Sequence, residues 1–175
     1  LFAHAEQGRL LLNIGGIANV TVLPAGAGSE QVQAFDLGPG NMLLDGAVAH
    51  FSGGRERYDR DGRRAAAGQV DGELLTQLLG HDFLRQPPPK STGREEFGAH
   101  FLKALLQGSE LSAENLLATL TAFTAAAIVG GLERFVLPAI QVSELWVAGG
   151  GVHNLHLMQT IQAGLPELRV ASLEG

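Results

Sequence analysis

Three short glycine runs stand where apolar, strand-like segments give out: Asn13-Ile-Gly-Gly16, Asp36-Leu-Gly-Pro-Gly-Asn41 and Gly149-Gly-Gly-Val-His-Asn154. Loops of this kind leave backbone N–H groups free beside a helix N-terminus, which suits phosphates and other anions. Each run alone is ordinary turn chemistry; three in one small domain can converge on one cleft. Asp36, expected at a strand end, can present a carboxylate to Mg²⁺ or to a sugar hydroxyl, or cap its own turn. Arg94, beside Glu95 and Glu96, offers a guanidinium fork to phosphate or carboxylate, or forms a surface ion pair.

Other chemistries fail on the residues. Lys90-Ser91-Thr92 carries the Lys-Ser pair of a P-loop, but Pro89 replaces the required glycine. Gly38-x-Gly40 is followed by Leu43, not the third glycine of a dinucleotide fingerprint. The 6 histidines show no metal-ligand spacing; His153 and His156 stand three apart without a third partner. No nucleophile–base–orienter set can be assembled.

The elements that must position these runs follow from periodicity. Arg9 to Ile14, Asn19 to Leu23 and Val32 to Phe35 read as strands, the first two joined by Gly15-Gly16 as a hairpin, with a loop at Gly26 to Ser29. Asn41 to Phe51 reads as a helix and Ser52 to Arg64 as a solvated loop. Asp71 caps a helix to Leu79 with Leu74, Leu75, Leu78 and Leu79 inward. Pro87 to Pro89 is a rigid break. Phe97 to Leu106 is a short helix. A long helix runs from its Ser112 cap to about Val136 with Leu116, Leu120, Phe123, Ala127, Gly131 and Phe135 inward. Glu144 to Ala148, a helix capped by Asn154, and Leu168 to Ala171 complete an α/β alternation.

Composition bounds the partners. The 175 residues suit one domain or one lobe. Hydrophobic residues are 45% and charged residues 17%, with 24 glycines, so a sizeable core and many tight turns are expected. The net charge of −6, without a basic stripe, argues against nucleic acid. The absence of cysteine excludes disulfides, thiolate metal sites and a cysteine nucleophile. The uncharged run from Asn115 to Leu132 carries threonines and glycines, and reads as a buried helix rather than a membrane span. No signal peptide is evident. The chain opens on Leu1 and stops after a strand-like run, so a processed chain or a fragment is expected.

Four segments in order, Leu12 to Val20, Phe35 to Met42, Pro89-Lys-Ser-Thr-Gly-Arg-Glu95 and Val147 to Asn154, resemble the bacterial anhydro-N-acetylmuramic acid kinase family along nearly the whole chain. The resemblance implies an α/β, actin/hexokinase-type (ribonuclease H-like) ATPase lobe: a mixed sheet with an antiparallel N-terminal meander and flanking helices. Residues 1–175 would form a single domain, most of the C-terminal lobe of a two-lobed kinase. The family uses ATP and Mg²⁺ to phosphorylate 1,6-anhydro-N-acetylmuramic acid while water opens the anhydro ring, giving N-acetylmuramic acid 6-phosphate in cytoplasmic cell-wall recycling. The implied partners are the sugar, ATP and the N-terminal lobe, with no nucleic acid or membrane, and with room for a homodimer.

Carried over motif by motif, Asn13, Gly15 and Gly16 would form the second phosphate loop, with its amides facing the β- and γ-phosphates. Gly149, Gly150, Gly151 and Asn154 would form the adenosine loop. Asp36, Gly38, Gly40, Asn41, Arg94 and Glu95 would line the sugar and metal cleft, with Asp36 toward Mg²⁺. A Cβ at Gly15 or Gly16 would block close approach or forbid a positive φ. The family's first phosphate loop, a Gly-Thr-Ser run, and its catalytic Asp in a Gly-Asp-Phe segment are absent here, so no catalytic base is assigned and the isolated chain is expected to be inactive. Another actin-like sugar or acyl kinase lobe, or a non-catalytic nucleotide- or glycan-binding module, are the competing readings.

Overall fold

In the computed structural model, the described residues are 6–26 and 28–173. Residue 27, inside the expected Gly26 to Ser29 loop, and both chain ends, including the Leu1 start and the Gly175 stop, lie outside them. Three antiparallel strands open the fold, β1 (Gly8–Ile14), β2 (Ile17–Leu23) and β3 (Gln33–Pro39), with alternating burial along β1 and β2. The two-residue Gly15-Gly16 turn joins β1 to β2, with Ile14 opposite Ala18 and Asn13 opposite Asn19.

Eight helices follow the first three strands in two groups. The first comprises α1 (Met42–Phe51), α2 (Arg63–Ala67), α3 (Gly72–Leu79), α4 (Asp82–Arg85), α5 (Arg94–Phe97), α6 (Ala99–Gly108) and α7 (Ala113–Phe135). Strand β4 (Val142–Ala148) then lies parallel to β1, helix α8 (Leu155–Gly164) crosses over, and β5 (Arg169–Ser172) lies parallel to β4. The sheet order is β3-β2-β1-β4-β5. A mixed sheet with an antiparallel meander on one side, parallel strands on the other and flanking helices is the expected actin/hexokinase-type arrangement.

Helix α7 organises the interior. Its Ala125, Ile128 and Leu132 pack on the buried sheet face of Leu10, Leu12, Ile14, Val20 and Phe35. Its Leu116, Leu117, Leu120 and Phe123 pack instead on Leu43, Val48, Leu78, Phe83 and Phe97 from the shorter helices. Each such buried side chain contributes on the order of 1.5–3 kcal/mol. By length and composition α7 could cross a membrane; here it lies between two cores.

Several boundaries differ from the sequence reading. Strand β3 runs on through Leu37 and Gly38 to Pro39, so Asp36 sits inside a strand rather than at its end. The expected loop from Ser52 to Arg64 contains a 3₁₀ turn at Arg60–Gly62 and the start of α2. The helix expected from Phe97 is broken at Gly98 into α5 and α6. Leu79, expected inward, is exposed.

Candidate nucleotide site

The hairpin turn is pinned to the start of α1 by backbone. The N–H of Asn41 donates to the Gly15 carbonyl at 2.8 Å, and the N–H groups of Gly40 and Met42 donate to the Gly16 carbonyl at 2.9 and 3.2 Å. The Asn41 side chain donates to the Ile14 carbonyl at 3.3 Å. The N–H groups of Gly40, Asn41 and Met42, at the entry to α1, are therefore taken by the hairpin and are not open to an anion. Gly40 makes this contact geometrically necessary: a Cβ there would fall onto the Gly15 carbonyl oxygen.

The second glycine run meets the same turn. Gly149 has φ of +85°, and a Cβ on it would strike the Asn13 amide oxygen and the Ile14 carbonyl. Only glycine allows that backbone next to β1. A Cβ on Gly150 would stand 3.5 Å from the Asn41 amide nitrogen. Asn154 caps α8 by accepting the Leu157 N–H at 3.0 Å. Thus Asn13, Gly15, Gly16, Asn41, Gly149, Gly150, Gly151 and Asn154 come together at one end of β1 and β4. The exposed Gly16 and Gly150 amides have no hydrogen-bond partner among the described residues. They are the free donors that an anion could take. Neither Gly15 nor Gly16 has a positive φ, and a Cβ on Gly16 would approach only the flexible Met42 side chain, at 3.3 Å. The steric reason expected for glycine at these two positions does not hold for the fold itself.

The Asp36 group forms a separate cluster. Register places Asn13, Asn19 and Asp36 in one row across β1, β2 and β3, on the face opposite the buried core. The Asn19 side-chain amide donates to one Asp36 oxygen at 2.8 Å, and the Thr92 backbone N–H donates to the other at 2.9 Å. The Asp36 N–H donates to the Lys90 carbonyl at 3.1 Å. Asp36 therefore fastens residues 90–92 along the outer edge of the sheet, covering it. Arg94 and Glu95 lie just beyond, exposed and with no ion pair among the described residues. Gly38 and Gly40, expected to line a cleft, are buried instead; Gly38 packs on Ala127 and Leu84. Adjacent strands lie about 4.8 Å apart, so Asp36 stands two strands from Asn13.

Lys90 turns inward. Its ammonium donates to the Phe83 carbonyl at 3.1 Å and stands 4.5 Å from the Phe83 ring centre. Burial, with Arg134 adding repulsion, lowers its pKa below the ordinary lysine value, while Asp36 opposes the shift. A lysine so placed anchors the segment and is not aimed at a phosphate.

A cavity of about 410 Å³ opens beside Gly150. Asn41, Leu44 and Asp45 of the α1 region form one wall, Tyr58 and Asp59 a second, and the turn from Gly150 to Asn154 the third. Burial pushes the Asp45 carboxyl up to about 6. The sequence reading missed Asp45, Tyr58, Asn19 and Thr92. Tyr58 is the one tyrosine in the chain, a signal that composition alone offered; the others are unremarkable until the segments meet.

The family model described as anhydro-N-acetylmuramic acid kinase matches residues 1–175. A protein of that name from Caldanaerobacter subterraneus subsp. tengcongensis is 43% identical over 177 residues, covering 99% of this chain and 45% of its own length. One from Bacillus cereus strain G9842 is 45% identical over 168 residues, covering 95% of this chain and 44% of its own length. The chain thus spans less than half the length of these relatives. Among solved structures, component A of the (R)-2-hydroxyglutaryl-CoA dehydratase of Acidaminococcus fermentans superposes with a TM-score of 0.46 and 17% identity, over 93% of this chain and 54% of that one.

Proposed function

This chain belongs to the anhydro-N-acetylmuramic acid kinase family, and on that premise we propose that it supplies the nucleotide-binding lobe of an ATP-dependent sugar kinase. The substrate is 1,6-anhydro-N-acetylmuramic acid, and the setting is cell-wall recycling in the bacterial cytoplasm. The observation that carries this reading is the meeting of two glycine turns. The Gly15-Gly16 hairpin and the Gly149 to Gly151 turn share one corner, each with a free amide, beside a cavity large enough for a nucleoside.

In this reading the Gly16 and Gly150 amides hold the phosphates and the adjoining cavity holds the nucleoside. The reaction forms one bond from a water oxygen to C1 of the sugar and breaks the bond between C1 and the 6-oxygen. The freed 6-oxygen takes the γ-phosphoryl group, and ADP leaves with one proton released to solvent. No base for the water is assigned to this corner; in the family pattern the base belongs to the other lobe. Positioning and charge neutralisation carry such transfers, and Mg²⁺ bound with the nucleotide would supply the neutralising charge. It needs one or two protein carboxylates. Asp36 fits that limited demand, because a carboxylate has about four lone-pair sites and two of these are taken. Among the described residues no group of three or more acidic or histidine side chains could form a closed cage.

Gly16→Val in the full-length protein tests the reading. The fold tolerates the side chain, so thermal stability should stay near that of the wild type. ATP affinity should fall about tenfold or more as the branched side chain covers the amide, with sugar affinity kept within about twofold. Equal loss of both, at unchanged stability, contradicts the assignment of this turn to phosphate.

A further inference from the structure

The polar groups lining the cavity beside Gly150 differ in one respect: whether the protein already engages them. Asp59 accepts the backbone N–H groups of Arg64 and Ala65 at 3.0 and 2.9 Å, one on each oxygen, to hold the start of α2. Asn154 caps α8 and Asn41 holds the hairpin, as described above. Asp45 makes no side-chain hydrogen bond and no ion pair among the described residues. A half-buried carboxyl without a partner carries an uncompensated desolvation cost, and its raised pKa of about 6 has burial as its cause. Such a group facing a cavity is placed for a ligand donor.

The company Asp45 keeps in the cavity says which donor. The hairpin turn touches Asn41, and the Asp45 N–H donates to the Asn41 carbonyl at 2.8 Å, one helical turn further on. That turn advances about 6 Å along the axis. Tyr58, more than half exposed, lines the same cavity. One cavity therefore brings together a free amide at Gly150, a carboxylate and an aromatic ring. A nucleoside triphosphate presents the matching groups: phosphates, vicinal hydroxyls and an aromatic base. An ionised carboxylate is acceptor-only with two oxygens, which matches two neighbouring hydroxyl donors.

We propose that Asp45 accepts the 2′- and 3′-hydroxyls of the ribose and gives this site its preference for ribonucleotides over deoxyribonucleotides. The inference rests on the nucleotide reading of the glycine turns and adds to it a residue and a selectivity. The aromatic ring of Tyr58 lines the same cavity, and Arg57 and Arg60, without ion-pair partners among the described residues, lie on the adjoining hollow.

The test is titration of the full-length protein, wild type, Asp45→Asn and Asp45→Ala, with magnesium complexes of ATP, 2′-deoxy-ATP and 2′,3′-dideoxy-ATP. The wild type should bind ATP about tenfold to a hundredfold more tightly than the dideoxy compound, the range for charge-assisted hydrogen bonds. Asp45→Asn should shrink that ratio and Asp45→Ala should bring it to about one. The affinity of either variant for dideoxy-ATP should stay within about threefold of the wild type. A wild type indifferent to the hydroxyls, or an Asp45→Ala protein that still prefers ATP in full, overturns the inference while leaving the nucleotide reading intact. Failure of all three nucleotides to bind the wild type overturns both.

Discussion

Asp36 and Asp45 lie nine residues apart and do opposite things with a carboxyl group. Asp36 accepts one protein donor on each oxygen, from Asn19 and Thr92, and ties a connecting segment to the sheet edge. Asp45 has no such donor and a pKa raised to about 6. The raised value has a defined consequence for stability. With a folded pKa above the unfolded one, the group's favourable contribution is complete below about pH 4 and is lost as pH rises through about 6. Complete burial would set the loss near 3 kcal/mol at 1.36 kcal/mol per unit, and half-exposure reduces it to about 1–2 kcal/mol. Asp45→Asn is therefore expected to be more stable than the wild type by that amount at pH 8 and no more stable at pH 4. Urea melts of both proteins at the two pH values measure it; a variant less stable at pH 8 would mean that Asp45 has a partner in the fold. Ligand-binding residues that cost stability in the free protein are a common compromise. Residue chemistry of this kind was only partly legible. Asp36 stood out beside its glycines, yet one of its two donors comes from residue 92, far along the chain. Asp45 read as one more polar position on a helix.

At the scale of elements, the sequence carried most of what was needed. Alternation of Leu10, Leu12 and Ile14 against Arg9, Leu11 and Asn13 reports a half-buried strand. The caps at Asp71, Ser112 and Asn154 all form the expected hydrogen bonds. The strand that was read too short, β3, fails for a physical reason: Gly38 and Pro39 are turn residues by habit, yet Pro is tolerated at the end of an edge strand. The solvated reading of residues 52–64 missed α2 because its polar residues face outward while Asp59 and Ala65 are buried. The junction between the hairpin and α1 is the element-scale feature on which the site depends. Gly40→Ala puts a methyl group against the Gly15 carbonyl, with the Ile17 carbonyl carbon 3.1 Å away. Overpacking of this kind costs about 1–3 kcal/mol. We expect a loss of about 2 kcal/mol in denaturant melts together with weakened ATP binding, because the hairpin and the helix must separate. An alanine variant with unchanged stability and unchanged ATP affinity would show that this backbone contact does not set the site.

At the scale of the molecule, two cores meet on α7, and the glycine corner lies at the end of the sheet where strands, α1 and the 150–154 turn converge. Thr124 of α7 donates to the Gly40 carbonyl at 3.2 Å, so the central helix also braces that corner. In the proposed reading this lobe holds the nucleotide, and the base that activates water comes from the other lobe. Catalysis in this account needs both halves of the family's kinase around one cleft. The most direct measurement follows the reaction itself. The full-length protein, given ATP, Mg²⁺ and 1,6-anhydro-N-acetylmuramic acid, should release ADP only when the sugar is present and should yield a product that has gained one phosphoryl group and one water. Residues 1–175 alone should give no multiple turnover, and adding the remaining lobe should restore it. Sugar-independent ADP release, a phosphorylated sugar that keeps its anhydro bridge, or sustained turnover by these 175 residues alone would contradict the account.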